Sequence, residues 1–589
     1  MNFIKRYFEI YKQIWSFSKL YVIMTYLISA YSLANTYLLL YLNKIVLNAV
    51  SDAVIQSNSN NQMVFYIIAI VCIVEIITTF LYNIIQYWVA KIKMKYDDKL
   101  TLELARSVSH LDMSYFDDMT QYNDTNLLFR YSSSMMMNFS NSVAMIFAII
   151  SFIISFNIII RQNILIAIVA IISIIPGFIV RNKLKLYHFN MEKKLTRDNR
   201  FIDYLTGLFL SKPVKMEMQI YDFEDHLANK LEKKQTDRRK EKIRYSLKKA
   251  TWEMILIVYD KLIYFINSCI MIIFVIKKSL TIGDFPYYSG IISNISSSLN
   301  SIVSLVNEIR IVDKQYLEFY KIQSREPKIN DKGKLKIDKS APFDIEFVNV
   351  SFKYPNSDYY ALNNISFKFN STQIIAFVGE NGSGKSTIVK LLLRFYDPCD
   401  GYITLNGINI QEYEINEYRS LFSSMFQDVN LYLLPIEENI KISDVRSCAD
   451  DRLKKIICSL GLEEINGMAL DLNCYYGKEF DERGYVLSTG QQQKIHAART
   501  LYRKTEIYLL DEPAASMDII TEKRFLNSLN QIIGGKGIIY ITHRYNNLNN
   551  VDNIYLLEKG ILLEEGSHLE LLNEKGKYYE MYSLQNLKE

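Results

Sequence analysis

The residues best suited to chemistry stand in IIAFVGENGSGKSTIVKLLL, where Gly379, Gly384, Lys385 and Ser386 fall at the GxxxxGK[ST] spacing. An apolar run, Ile374 to Val378, precedes them and a helix-patterned run follows. Glycines, including Gly382, let backbone N–H groups converge on phosphate oxygens; Lys385 can reach the β and γ oxygens and Ser386 can ligate Mg²⁺. Glu380, Asn381, Ser383 and Thr387 complete this loop and helix start. The strand–loop–helix context predicts a nucleotide site. A second apolar strand, in EIYLLDEPAAS, ends in two carboxylates. Asp511 is placed to hold the magnesium shell, and Glu512, one residue on, to face the attacking water as its general base. Solvated acids in a turn are the plainer alternative, and the uninterrupted apolar strand ahead of them argues against it. In LSTGQQQKIHAART, Leu487 to Gln491 open a helix whose N-terminal amides suit an anion. Because a P-loop covers its nucleotide from one side, this second anion-seeking helix end points to a lid from another subunit.

These segments need a scaffold, and composition divides the chain in two. Of the 589 residues, 49% are hydrophobic and 22% charged, which excludes a small module or a disordered chain. A mean hydropathy of +0.01 suggests an average over unlike halves. Residues 1–320 hold only 4 of the 21 glycines, as expected of long helices followed by a turn-rich α/β domain. The net charge of +5 does not imply nucleic acid. The six scattered cysteines form no CxxC pair and read as buried free thiols.

Six apolar runs recur in the first half, near 18–50, 63–90, 134–160, 163–182, 253–277 and 285–311, each able to cross a bilayer core with about 20 residues. The opening MNFIKRYFEIYKQIWSF suits a helix lying in the interface. SDAVIQSNSNNQ has no basic residue, whereas Lys91, Lys93, Lys95 and Lys99 follow the second run and 183–250 is rich in Lys and Arg. That bias places these two long stretches, and the C-terminal half, in the cytoplasm. Their charged but helical pattern predicts spans continuing beyond the membrane, with tips near Ser114 to Gln121 and Leu208 to Ile220. Glu75, Asp260 and Lys261 lie within spans, where ionisable groups are costly. The sixth run, with Ser293, Asn294, Ser297, Ser301 and others, is polar enough to wall a wet cavity.

On these motifs the chain resembles an ABC transporter half, a membrane domain fused to a nucleotide-binding domain. The resemblance is motif-specific over 343–575 and architectural before that. It implies that Tyr354 stacks on adenine, that Gln427 is the Q-loop glutamine joining magnesium and water to the membrane domain, and that Ser488, Gly490 and Gln491 close over a partner's γ-phosphate. It further implies that Asp518 is the D-loop aspartate and His543, in IYITHR, the switch histidine on the γ-phosphate. One position departs: Thr489 stands where the family has glycine, and its β-branch predicts slower or weaker closure.

The expected architecture is an interfacial helix (1–17), an exporter-type six-helix membrane domain (18–320), a linker (321–342) and an α/β P-loop ATPase domain (343–589). YGKEFDERGYVLSTGQQQKIHAART is most similar to bacterial exporters of lantibiotics and related ribosomal peptides. The resemblance implies a homodimer, or a pair with a related half, in the bacterial cytoplasmic membrane. It also implies contact with membrane lipid and ATP-driven export of a peptide or other amphipathic substrate. A drug or lipid exporter, an importer on the same fold and a non-transporting ATPase are the alternatives.

Overall fold

The structure is a computed structural model. It describes residues 3–55, 61–117, 134–277, 280–325 and 333–586, with 327 and 329 and without 163, 340, 356, 429, 448, 449, 466, 546 and 547. The chain forms two compact units: Met1–Ser109 with Asp124–Ser324, and His110–Asn123 with Arg325–Glu589.

The first unit is helical: α1 (Phe3–Phe17), α2 (Lys19–Ile55) and α3 (Asn61–Ser109) come first. The short α4 (Met113–Phe116) belongs to the second unit. Then follow α5 (Ser134–Gln162), α6 (Ile164–Leu210), α7 (Lys212–Tyr221), α8 (Glu224–Ile276) and α9 (Asp284–Gln323). Each apolar run from the sequence lies essentially within one of α2, α3, α5, α6, α8 and α9. Among the described residues, α2, α3, α5 and α8 carry 18-residue stretches apolar enough to cross a membrane. At 1.5 Å per residue, the 49 residues of α3 and the 53 of α8 reach about 74 and 80 Å, more than twice a bilayer core of about 30 Å. Their charged ends therefore continue as helix outside it. In α1, Ile10 and Ile14 are buried one turn apart while Phe8 and Trp15 are exposed, the two-sided pattern of an interfacial helix.

Polar groups join the apolar helices. The Tyr37 hydroxyl donates to the Ser151 carbonyl at 2.8 Å and lies 2.7 Å from Ser155 Oγ, and Asn294 Nδ2 donates to both serine hydroxyls at 3.2 Å. Lys44 pairs with the buried Asp284 at 2.5 Å, while Asp284 also accepts from Thr281 N and Oγ1. The polar set of the sixth run is thus divided. Asn294 is spent on helix packing and Ser289 and Ser298 are buried, whereas Ser293, Ser297 and Ser301 are exposed. A uniform wet wall does not describe it, because one face of any packed helix is covered by its neighbours. Glu75 and Lys261 are exposed, Lys261 standing 5.9 Å over the Tyr264 ring; the side chain of Asp260 lies outside the described residues.

The second unit carries two main sheets. The strands are β1 (Asp344–Phe352), β2 (Leu362–Asn370), β3 (Ile374–Val378), β4 (Asp400–Leu405), β5 (Ile408–Asn409) and β6 (Phe422–Met425). After a short hairpin, β7 (Glu464–Ile465) and β8 (Met468–Ala469), come β9 (Ile507–Asp511), β10 (Gly537–Ile541), β11 (Asn553–Glu558) and β12 (Ile561–Gly566). An antiparallel sheet runs β2-β1-β4-β5, and a six-stranded sheet runs β12-β11-β3-β10-β9-β6. In the latter β11, β3, β10, β9 and β6 are parallel. Strands β9 and β10 are buried along their whole length, as strands covered on both faces must be. The five described cysteines are free; Cys72, Cys399 and Cys458 are exposed, which corrects the expectation of buried thiols.

The sheets meet through aromatic rings. Phe367 of β2 lies 4.4 Å from Phe347, 5.2 Å from Phe377 and 5.0 Å from Tyr555, ring centre to ring centre. Phe367→Ala opens a cavity at this junction and is expected to cost about 3–5 kcal/mol, read as a lower denaturant midpoint for the second unit by tryptophan-independent circular dichroism; an unchanged midpoint would show the ring cluster to be dispensable.

Candidate nucleotide and hydrolysis site

The parallel strands end side by side, and the candidate residues leave those ends. The glycine-rich loop follows β3, Gln427 follows β6, Asp511 ends β9 with Glu512 directly after it, and His543 follows β10. In open α/β sheets the crevice beyond the carboxyl ends of the strands is where ligands sit.

The loop demands its glycines. Gly379, Gly382 and Gly384 have φ of 142°, 80° and 107°. A Cβ on Gly379 would strike the Leu557 carbonyl oxygen, and one on Gly384 would lie 2.6 Å from Leu362 Cδ2. The loop thereby delivers the chain into the helix Lys385–Leu392. The Lys385 ammonium is buried and donates to the carbonyls of Gly379 and Glu380, both at 2.8 Å. Burial lowers its pKa, while Glu512 and Asp511 pull it back up, which sets these three charges in one electrostatic site. Ser386 is exposed at the helix start, as are Glu380 and Asn381 in the loop. Tyr354 is positioned by the same helix: its hydroxyl lies 3.1 Å from Thr387 Oγ1, and Lys390 Nζ stands 5.0 Å from its ring centre.

At the end of β9, Asp511 is buried, and burial, with Glu512 next in weight, pushes its carboxyl up to about 6. Glu512 has φ of +49°, a left-handed conformation that costs a non-glycine residue about 1–2 kcal/mol. Its N–H still donates to the Ile541 carbonyl at 2.9 Å, so the β10 edge holds the turn in place. The turn aims the carboxylate between two neighbours. Gln427 Nε2 donates to Oε2 at 3.2 Å, and His543 Nδ1 donates to Oε1 at 3.0 Å. Strain retained at a residue so gripped is typical of a functional site.

Ser488 caps the helix Thr489–Tyr502 in a capping box: Gln491 N donates to Ser488 Oγ at 3.3 Å and Ser488 N to Gln491 Oε1 at 2.9 Å. Thr489 takes the first helical position with ordinary helical backbone, so its β-branch imposes no strain within the chain. A Cβ on Gly490 would meet nothing within 4 Å. Asp518 caps the helix Ile519–Ile533, accepting from Thr521 N at 3.0 Å, and these hydrogen bonds lower its pKa. The structure therefore joins Lys385, Asp511, Glu512, Gln427 and His543 in one cluster. It holds Ser488 and Gln491 to each other, and Asp518 to its own helix.

Sequence reasoning missed Arg544, which pairs with the buried Glu522 and donates to the Ala515 carbonyl at 3.2 Å. Its place directly after His543 was the available signal.

An ABC transporter family model matches residues 362–515. The nisin transport ATP-binding protein NisT of Lactococcus lactis subsp. lactis is 28% identical over 525 residues, 88% of this chain and 86% of that protein. The mitochondrial iron-sulfur clusters transporter ATM1 of Saccharomyces cerevisiae is 33% identical over 317 residues, 53% of this chain and 45% of that protein. A bacterial Atm1-family ABC exporter with ATP bound superposes with a TM-score of 0.77 at 20% identity, over 96% of this chain and 98% of that one. The matched ATPase domain, the long relative and the shared exporter fold support an exporter-type half transporter, in which a helical membrane domain is fused to an ATP-binding domain and ATP hydrolysis is coupled to transport.

The steric demand at Gly379 is directly testable. Gly379→Ala combines an unfavourable φ with a backbone collision and is expected to weaken ATP binding more than about tenfold, measured by calorimetric titration; wild-type affinity would mean the loop tolerates a Cβ there.

Proposed function

We propose that the chain pairs with a second copy of itself in the bacterial cytoplasmic membrane, its ATPase domain in the cytoplasm, and exports a peptide by alternating access. The observation that carries the peptide reading is the similarity to the nisin transport protein along nearly the whole of both chains, membrane domain included. The similarity to the iron-sulfur clusters transporter covers about half of this chain and so says less about cargo.

The cluster at the strand ends supports the following roles. Tyr354 stacks on adenine, and Gly379 to Thr387 cradle the phosphates with Lys385 on the β and γ oxygens. Glu512 takes a proton from the water that attacks the γ-phosphorus, Gln427 orients that water, and His543 holds the carboxylate from the other side while contacting the γ-phosphate. Mg²⁺ fits the donor set, since Ser386, Asp511 and Gln427 offer hard oxygen atoms and the buried Asp511 carboxyl is costly to ionise without a cation. When bound, the ion neutralises charge on the β and γ oxygens.

Several features support a two-fold partner. The Ser488–Gln491 helix start points an anion-seeking end outward, and the open space at Gly490 means this chain's own packing does not require a small residue there. Asp518 lies at another helix start. A head-to-tail pair would bring these residues over the partner's ATP. Two tips offer routes to the membrane helices. In the second unit Tyr396 donates to Asp117 at 2.7 Å, and the Arg325 guanidinium stands 4.9 Å over the Tyr115 ring. The rest of that tip, through Gln121, lies outside the described residues. At the other, Leu210, Ile220 and Tyr221 around α7 are exposed and suit docking on a second copy. Six spans, with both long loops on the ATPase side, complete this reading.

Glu512→Gln is expected to lower ATP turnover by at least about a hundredfold while ATP binding persists; near wild-type turnover would remove Glu512 as the base. In lipid nanodiscs, cationic ribosomal peptides are expected to stimulate ATP hydrolysis where drugs and added lipids do not; the reverse ranking would replace the peptide reading with a drug or lipid one.

A further inference from the structure

The switch loop carrying His543 leaves the sheet after β10, and its main-chain groups need partners that the sheet no longer supplies. One side chain supplies two of them. Gln585 Nε2 donates to the His543 carbonyl at 2.5 Å, and Tyr545 N–H donates to Gln585 Oε1 at 2.9 Å. A single amide thus engages the backbone on both sides of Arg544, as one rung of a β-ladder would.

The helix bearing Gln585, Lys577–Asn586, is itself fixed to the domain. The Glu564 carboxylate accepts from Lys577 N at 2.6 Å and Tyr578 N at 3.0 Å, an anion at the positive end of the helix. Tyr578 is fully buried, with its hydroxyl 2.7 Å from His568 Nδ1 and its ring centre 5.4 Å from that of Tyr545. The Tyr545 hydroxyl in turn donates to Met581 Sδ at 3.0 Å. The anchor is therefore rigid on the helix side, and the loop is held to it by the amide and by the Tyr545 ring.

The His543 side chain is about half exposed, at 49%, and among the described residues the hydrogen bond of its ring is the one to Glu512. Packing does little to orient such a ring, so its direction follows the backbone that carries it. We propose that Gln585 is a positioning residue for ATP hydrolysis, clamping the main chain around His543 so that the imidazole stays registered against Glu512. The proposal rests on the reading of Glu512 and His543 as the hydrolytic pair.

The test uses the full-length transporter in nanodiscs and compares kcat with KM for ATP. Gln585→Ala removes both bonds and is expected to lower kcat about five- to tenfold with KM changed less than about twofold. Gln585→Glu keeps the acceptor for Tyr545 N–H but sets a carboxylate against the His543 carbonyl, and is expected to fall to a similarly low kcat while keeping the shape of the side chain. Leu584→Ala, an exposed neighbour on the same helix, is expected to match wild type. A merely structural helix contact would lower the amount of folded, ATP-binding protein without changing kcat per bound ATP. Should the alanine variant lose ATP binding, the isosteric glutamate variant decides. Wild-type kcat in a Gln585 variant that binds ATP normally overturns the clamp. His543→Ala run alongside separates the two readings: if it turns over like wild type the hydrolytic pair is wrong, whereas an inactive His543→Ala beside a fully active Gln585→Ala sinks the clamp alone.

Discussion

The proposed hydrolytic site depends on one carboxylate being held where a strand would not put it. Glu512 follows Asp511, the last residue of β9, and an extended continuation would direct successive side chains to opposite faces of the sheet. The left-handed turn at Glu512 breaks that alternation. Its main-chain bond to Ile541 keeps the turn on the sheet, and Gln427 and His543 fix the carboxylate from either side. Those two residues come from the ends of β6 and β10, the neighbours of β9, so the strand order places three loops around a single group. The fully buried β9 and β10 make that frame stiff enough to keep a strained residue.

From this group the structure extends in two directions. Toward the nucleotide, Lys385 is drawn by Asp511 and Glu512 while burial opposes its charge, a balance that an incoming phosphate would resolve. Toward the domain surface, Arg544 ties the His543 loop to Glu522, and Gln585 ties it to a helix far along the chain. The first unit is built on another constraint. Helices far longer than a bilayer core must bury their polar groups against each other, as Asn294 does with Ser151 and Ser155, and carry their charge at the extended ends.

Much of this was legible in the residues. The phosphate loop, the paired acids and the apolar strands before them announce their places because strand, loop and helix leave local signatures, and the long apolar runs do the same for the helical unit. What stayed hidden depends on contacts distant in sequence. Gln585 lies 42 residues beyond His543 and, among the described residues, bonds to backbone groups alone, so no motif marks it. The partition of the sixth run into packed and exposed serines depends on which face α5 covers. Thr489 looked restrictive as a residue type, yet the helix start gives it a backbone that β-branched residues accept. The exposed Cys399 and Cys458 show that residue type alone does not settle burial.

The central proposal is that hydrolysis at Glu512 drives a peptide outward across the membrane. Its most direct measurement uses inverted membrane vesicles, in which the ATPase domain faces the medium, and follows a fluorescent lantibiotic-type peptide. The account predicts ATP-dependent accumulation of the peptide in the vesicle lumen, absent with Glu512→Gln. ATP consumption without accumulation, or movement of the peptide out of preloaded vesicles, would contradict it.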